Sequence, residues 1–249
     1  MNIDYPTQEQ IKELKKLWQE AFGDTDAFWE QFYTHGFAPD RCRCMSLDGK
    51  PVAALYWFDC LLEGRPVAYL YGIATAKRHR GKGLCRALLE NTHTHLKYLG
   101  YAGEILVPAQ EELFPMYEKM GYTHTVSIQE YSVAAGQEKA ELRPIGPEEF
   151  CRLRQTFLPD GGVVQDGDGI AFLETQAEFY AGEDFLVTAS REENFLPELL
   201  GNAEKAPQIL AALGMPEARI RTIGAEKPFA MYHALSELPA PGYFGLAFD

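Results

Sequence analysis

The 249-residue sequence has few cysteines and no long apolar segment. Its five cysteines are odd in number and irregularly spaced, which argues against the disulfide framework of a small secreted domain. No run approaches the roughly 18 apolar residues of a membrane span, and the amino terminus opens with polar side chains. We therefore expect a cytoplasmic protein without membrane association.

The familiar ligand-binding strings are also missing. Neither the GxGxxG loop of dinucleotide-binding folds nor the GxxxxGK[ST] loop of P-loop proteins occurs. Cys42 and Cys44 have no second Cys/His pair at zinc-site spacing, and His93 and His95, two apart on a predicted helix, point to different sides. The loop at 160–169 lacks the calcium-binding pattern. On these patterns we expect no metal cofactor.

Charge is unevenly distributed along the chain, whose net charge is −13. Residues 1–134 carry 17 acidic and 14 basic side chains, whereas residues 135–249 carry 19 and 9. Five bases nevertheless fall within ten residues of the first part, without an acid among them: Lys77, Arg78, Arg80, Lys82 and Arg86. A local anion site without a broad basic face excludes nucleic acid as the expected partner, and the acidic remainder favours an amine-bearing substrate.

Apolar periodicity and turn signals predict alternating helices and strands. In the first half the pattern predicts helices over 7–22, 26–33, 82–99 and 111–120, and strands over 41–46, 52–62, 67–74, 102–107 and 122–133. The strand–helix–strand passage at 67–107 implies a parallel strand pair. The expected fold class is mixed α/β, with a central mixed sheet and flanking helices.

The segment Arg78-His79-Arg80-Gly81-Lys82-Gly83-Leu84 joins a predicted strand to a predicted helix. Glycines allow close backbone approach to a ligand, and a helix start offers free N–H groups and a positive dipole end. Such a loop favours phosphate binding.

These residues carry a resemblance to a known family. Arg78, Gly81 and Gly83 match the [RQ]xxGx[GA] signature of the GNAT superfamily of N-acetyltransferases, and Tyr117 with Gly121-Tyr122 matches its later YxxxG[FY] element. The segment 17–24 also resembles bacterial members. Gln110 and Leu113 depart from the Asn and Ala that are common there. The resemblance covers about residues 5–133.

The resemblance implies acetyl-CoA as co-substrate and a primary amine of a small molecule or peptide as acceptor. It places the CoA diphosphate on the amides of His79 to Leu84, with charge from Arg78, Arg80 and Lys82, and the thioester oxygen near the backbone of Ile73 or Ala74. Gln110 would contact the cofactor. Tyr117 would bind it and act as general acid toward the leaving thiolate.

Several assignments stay open at this point. Four carboxylates are candidates for a general base, and each also suits a solvated surface position: Glu104, Glu111, Glu112 and Asp249. Tyr69 and Tyr71 share one strand face and suit either core packing or an acceptor pocket. A homodimer is compatible with the sequence, and a catalytically inactive CoA-binding or regulatory module is the alternative to an enzyme.

The second half repeats the alternation without the glycine-and-arginine loop. After a polar stretch at 134–141, residues 142–158 are expected to begin with a strand-like Leu-Arg-Pro-Ile and to continue as a helix that carries Phe150, Leu153 and Phe157. Further strands are expected at 185–189, 219–223, 229–235 and 243–248, and a further helix at 206–213. We therefore expect a catalytic domain over 1–134 and a smaller α+β domain over 140–249. This second domain has the element order of a degenerate GNAT-like repeat, and we expect it to bind no CoA.

Overall fold

The computed structural model describes residues 1–248, which fold into two compact units. Unit 1 contains residues 1–60, 64–123 and 231–238, and unit 2 contains residues 61–63, 124–230 and those from Pro239 onward. These limits differ from the expected division at 134–140. The strand that starts at His124 packs within unit 2, and a late segment returns to unit 1 because Met231–Ala234 pairs with Gly103–Leu106.

Unit 1 has the mixed sheet expected from the sequence. Its elements are, in chain order, β1 (Asn2–Asp4), α1 (Gln8–Phe22), α2 (Asp26–His35), β2 (Cys42–Leu47), β3 (Lys50–Leu62), β4 (Arg65–Thr75), α3 (Leu84–Tyr98), β5 (Gly103–Leu106) and α4 (Phe114–Glu118). The strands follow the order β1-β2-β3-β4-β5, with the 231–234 segment beyond β5. β4 and β5 are parallel, as predicted, and the 231–234 segment is antiparallel to β5.

Helices cover both faces of this sheet. On one face Leu88 and Leu96 of α3 pack with Leu55 and Trp57 of β3 in a buried core. Because side chains alternate along a strand, the neighbouring residues of β3 face the other way. There Trp18 of α1 stacks on Phe32 of α2 and contacts Tyr56. The three layers bury the sheet on both sides.

Local sequence features explain where α1 begins and ends and why α4 is short. The Thr7 hydroxyl accepts from the Gln10 amide while the Gln10 side chain accepts from the Thr7 amide, a capping box that begins α1. α1 ends at Gly23, which adopts φ +80°. The predicted helix over 111–120 is in fact a 3₁₀ turn at Glu111–Leu113 followed by the short α4, because Pro115 occupies the first turn.

Unit 2 is an α+β unit with its own core. Its elements are β6 (His124–Ala134), β7 (Arg143–Pro144), α5 (Pro147–Phe157), β8 (Val164–Gln165), α6 (Gly167–Leu173), β9 (Glu178–Ala181), β10 (Phe185–Ser190), β11 (Phe195–Gly201), α7 (Ala206–Leu213) and β12 (Glu217–Ala234), whose last four residues lie in unit 1. β6 pairs with β12, which continues the order β12-β11-β10-β9-β7.

Two expectations for unit 2 are wrong. The strands predicted at 219–223 and 229–235 are one strand, β12, which continues through Gly224 and Pro228 and pairs with β6. The strand predicted at 243–248 is not a strand: it makes only an isolated bridge from Tyr243 to Gly162, and its apolar residues are buried instead. The continuous apolar run at 243–248 indicated burial and not sheet pairing. Among residues 1–248, no helix is both long enough and apolar enough to cross a bilayer.

Candidate active site

A pocket of about 470 Å³ opens in unit 1 where β4 ends and α3 begins. Its wall combines residues of α1, β4, the loop before α3, the first turn of α3 and the α4 region. They are Ala21, Phe22, Ile73, Ala74, Thr75, His79, Arg80, Gly81, Gly83, Leu84, Cys85, Arg86, Leu113, Met116, Tyr117 and Met120. The structure therefore brings together most of the residues that the sequence singled out.

The end of β4 separates from its parallel neighbour beside this pocket. Pairing with β5 runs from Val67 to Leu70 and stops there, although β4 continues to Thr75. Gly72 adopts φ +59°, which breaks the regular pleat just before Ile73 and Ala74. Backbone groups on this side of β4 are therefore free of β5 in the part of the strand that lines the pocket.

The loop after β4 is shaped for an anion. Gly81 and Gly83 have φ +72° and +77°, a left-handed conformation that favours glycine, and a Cβ on either would meet nothing within 4 Å. The first bond of α3 runs from the Ala87 amide to the Gly83 carbonyl at 3.1 Å. The amides from Leu84 to Arg86 precede that bond, so they form the open N-terminus of a 15-residue helix.

Part of the predicted amide set is already engaged, which corrects the sequence-based assignment. The His79 amide donates to the Ala76 carbonyl at 2.8 Å and the Arg80 amide to the Lys77 carbonyl at 3.3 Å, in a 3₁₀ turn. The cradle therefore starts at Gly81.

The charged side chains of the loop divide into two groups. Arg80 lines the pocket, and its Nε donates to the Thr75 carbonyl at 3.0 Å, which holds the loop against the end of β4. Lys82 Nζ donates to the Arg78 carbonyl at 3.0 Å. Neither Arg78 nor Lys82 lines the pocket, whereas Arg86, which the motif did not single out, does.

Tyr117 lies on the opposite wall, on α4. Its ring is buried, 7% exposed, and contacts Tyr122 edge-on at 5.8 Å. Among residues 1–248 no hydrogen bond occupies its hydroxyl. Burial, with a smaller effect of the nearby Cys85 thiol, raises the Tyr117 pKa above its ordinary value. The phenol is therefore held protonated and faces a mainly apolar pocket.

Cys85 lines the same pocket and reports on its environment. Burial raises the pKa of the Cys85 thiol to about 11. A thiolate is thus destabilised on this wall, as expected where apolar side chains replace water.

The remaining candidates lie outside the pocket wall. Gln110 is exposed, as are Glu111 and Glu112. Glu104 is fully buried and faces His93. Asp249 lies outside the described residues. The geometry thus assigns no general base.

Tyr69 and Tyr71 pack rather than line this pocket. Their rings lie 6.1 Å apart, and both contact Phe58. Cys42 and Cys44 are free and buried, as the sequence predicts for small core residues.

Sequence reasoning did not assign four apolar residues to the pocket. Ala21 and Phe22 come from the end of α1, which the motif does not include, and Met116 and Met120 flank Tyr117. A helical repeat of apolar residues around Tyr117 was visible, but that pattern indicates a buried face without saying what covers it.

Comparison with known families and structures agrees with this geometry. The family model described as "Acetyltransferase (GNAT) domain" matches residues 2–125. A comparison with curated protein sequences gave no match.

Two solved structures share the fold over most of the chain. A GCN5-related N-acetyltransferase from Kribbella flavida is 17% identical, with a TM-score of 0.71 over 93% of this chain and 70% of that one. One from Anabaena variabilis is 15% identical, with a TM-score of 0.69 over 94% and 73%. Through residues 2–125, which hold the pocket, the loop and Tyr117, the chain belongs to the GNAT acetyltransferase superfamily.

Proposed function

We propose that this protein is an N-acetyltransferase that moves an acetyl group from acetyl-CoA to a primary amine of a small molecule or peptide. One observation carries the proposal: a single pocket has the glycine loop and the α3 N-terminus on one wall and a protonated phenol, Tyr117, on another. Acyl transfer from a negatively charged thioester carrier requires, among other groups, a site that binds the carrier's charge and a proton donor for its leaving thiolate.

The loop fits a diphosphate. The absence of side chains on Gly81 and Gly83 leaves the backbone accessible, and the first amides of α3 that follow are unpaired. Arg80 and Arg86 add positive charge on the same wall. Arg78 and Lys82 then contribute through the shape of the loop, since Lys82 Nζ donates to the Arg78 carbonyl.

The end of β4 fits the acyl part of the substrate. Acetyl-CoA supplies an activated acyl group as a thioester. An amine attacks the carbonyl carbon of this thioester, and the CoA thiolate leaves. Ile73 and Ala74 lie where β4 has left β5, so their backbone can donate toward an oxygen that gains charge. The kink at Gly72 directs that backbone toward the pocket.

Tyr117 serves as the general acid in this proposal. Its raised pKa keeps the proton on the phenol at physiological pH. A phenol with a raised pKa is a weak acid, but burial in the same pocket raises the pKa of the Cys85 thiol to about 11. The CoA thiolate, if it formed in this pocket, would become more basic for the same reason. The pKa values of the proton donor, Tyr117, and of the proton acceptor, the CoA sulfur, are therefore raised together.

The test replaces Tyr117 by Phe. We expect Tyr117→Phe to lower kcat by about 10²–10⁴ and to leave the Kd for CoA within about twofold, because the ring remains. Tyr98→Phe, on an exposed residue of α3, is the matched control and should change neither. An unchanged kcat for Tyr117→Phe contradicts the acid role.

Two further outcomes concern the function itself. Purified protein is incubated with acetyl-CoA and a set of primary amines, and free thiol is measured. Tight CoA binding without thiol release from any amine would support the inactive binding module instead. No CoA binding by calorimetry would contradict the proposal altogether.

A further inference from the structure

A second polar cluster lies in unit 1, away from the pocket wall. It joins His93 of α3, Glu104 of β5 and His233 of the returning segment of β12. One ligand atom from each residue lies within 4.8 Å of the other two. No sequence motif joins these three residues, because 129 positions separate Glu104 from His233.

Sheet pairing brings the three together. Glu104 and His233 are register partners across antiparallel strands, so their side chains leave the sheet on the same face. α3 covers that face and places His93 Nε2 2.8 Å from Glu104 Oε1. The two imidazole rings stack with centroids 4.5 Å apart. The arrangement is therefore built from backbone elements and not from mobile loops.

Charge in this cluster is unbalanced. The side chain of Glu104 is 0% exposed, and no Lys or Arg among residues 1–248 forms an ion pair with it. A buried carboxylate without a compensating charge is strongly unfavourable. The carboxylate is therefore neutralised either by a proton, on the carboxyl group or on an imidazole, or by a bound cation.

Hydrogen-bond geometry favours the cation. The His233 Nδ1 lies 2.6 Å from the Gly121 carbonyl, which only accepts, so Nδ1 carries the hydrogen and Nε2 keeps its lone pair. Despite the short distance, His93 Nε2 and Glu104 do not meet with hydrogen-bond geometry. Three buried atoms at this place lack a well-formed hydrogen bond among residues 1–248: His93 Nε2 and both Glu104 oxygens. Burial, followed by the neighbouring Glu104, raises the pKa of Tyr122, so the Tyr122 hydroxyl lies close to the same carboxylate.

We propose that His93, Glu104 and His233 form a binding site for a divalent transition-metal ion, with zinc as the first ion to test. Two imidazoles and one carboxylate are a ligand set that zinc accepts. Metal–ligand bonds of about 2.0–2.2 Å would draw the ligand atoms to roughly 3.4 Å apart in a tetrahedral site. The ring of Tyr122 lies 5.6 Å from that of His233, beside the same cluster.

The site is structural in this proposal. None of its three residues lines the pocket. An ion held there would join α3 and β5 to the chain segment that returns to unit 1 from far along the sequence, and a cross-link that closes a long loop stabilises the folded state. The inference does not depend on the proposed acetyl transfer.

The test uses the full chain after chelator treatment. We expect stoichiometric zinc binding by calorimetry. At zinc concentrations near 100 times Kd, the melting temperature should rise by roughly 5–10 °C. Cobalt should give the intense visible absorption of a tetrahedral site. His233→Ala and His93→Gln should weaken zinc binding at least about 100-fold, whereas His95→Gln, on the same helix but outside the cluster, should not.

The wild-type measurements decide the question even if a variant fails to fold. An unchanged melting temperature with zinc, together with no cobalt absorption, would overturn the proposal and leave a proton as the group that neutralises the carboxylate. Equal zinc affinity in wild type and a folded His233→Ala variant would also overturn it.

Discussion

The indole ring of Trp18 lies directly against the Cα of Gly72, so that a Cβ on residue 72 would overlap the Cζ3 atom of Trp18. α1 can therefore approach β4 this closely only at a glycine. The same residue adopts φ +59° and precedes Ile73 and Ala74 of the pocket wall. One position thus serves both the packing of α1 and the shape of the site.

We expect Gly72→Ala to destabilise the protein by about 2–5 kcal/mol, because left-handed strain and the overlap with Trp18 act together. Gly64→Ala is the matched control: its φ is +74°, but nothing lies within 4 Å of an added Cβ. It should cost only about 1–2 kcal/mol. Urea unfolding measures both, and equal losses would show that crowding by Trp18 has no effect.

Gly83→Ala tests the anion cradle. The new Cβ would project into open space beside the α3 amides, where the diphosphate is proposed to lie. We expect the Kd for CoA to rise about tenfold or more. Gly100→Ala, with similar strain (φ +91°) just beyond the other end of α3, should leave it unchanged. Calorimetric titration gives both values, and equal effects would place the diphosphate elsewhere.

A buried ion pair anchors unit 2. Arg154 donates from Nε and Nη2 to the two oxygens of Glu198, at 2.6 and 2.9 Å, and both side chains are at most 2% exposed. Glu198→Gln should destabilise the protein by about 3–5 kcal/mol, because it removes the carboxylate of a buried, doubly hydrogen-bonded ion pair. Glu149→Gln, at the exposed paired contact with Arg143, should have little effect. A small loss for Glu198→Gln, measured by urea unfolding, would contradict this reading.

Stability should fall in alkali. Burial raises the pKa of Tyr56, Tyr122 and Tyr243 well above the usual 10.0. Above pH 10 the unfolded chain loses these protons while the folded one keeps them, so the free energy of unfolding decreases as pH rises. Each group contributes a slope of up to about 1.4 kcal/mol per pH unit.

Urea midpoints at pH 8, 9.5 and 10.5 check this expectation. Tyr56→Phe should reduce the slope, and Tyr98→Phe, at an exposed position, should not. A midpoint that stays constant up to pH 10.5 would show that these phenols are not protected by burial.

Much of unit 1 could be predicted from the sequence because its signals are local. The Thr7 cap, the turn at Gly64 and the loop glycines each fix a short stretch of backbone. Apolar periodicity located α1 and α3 to within two residues at each end. The family motif then placed Gly81, Gly83 and Tyr117 on one pocket. The domain limits at 134–140 did not coincide with the two units, since no local signal shows that residues 231–238 return to unit 1.

What the sequence determined by itself is therefore the main helices and strands of unit 1 and the glycine loop before α3, because these depend on neighbouring residues. Only the tertiary structure decided which side chains meet across the sheet. It showed that the His79 and Arg80 amides donate hydrogen bonds within a 3₁₀ turn, that Phe22 lines the pocket, and that Glu104 faces His93 and His233. These relationships depend on strand register and on how helices cover the sheet. Residues that are close together along the chain determine neither of these.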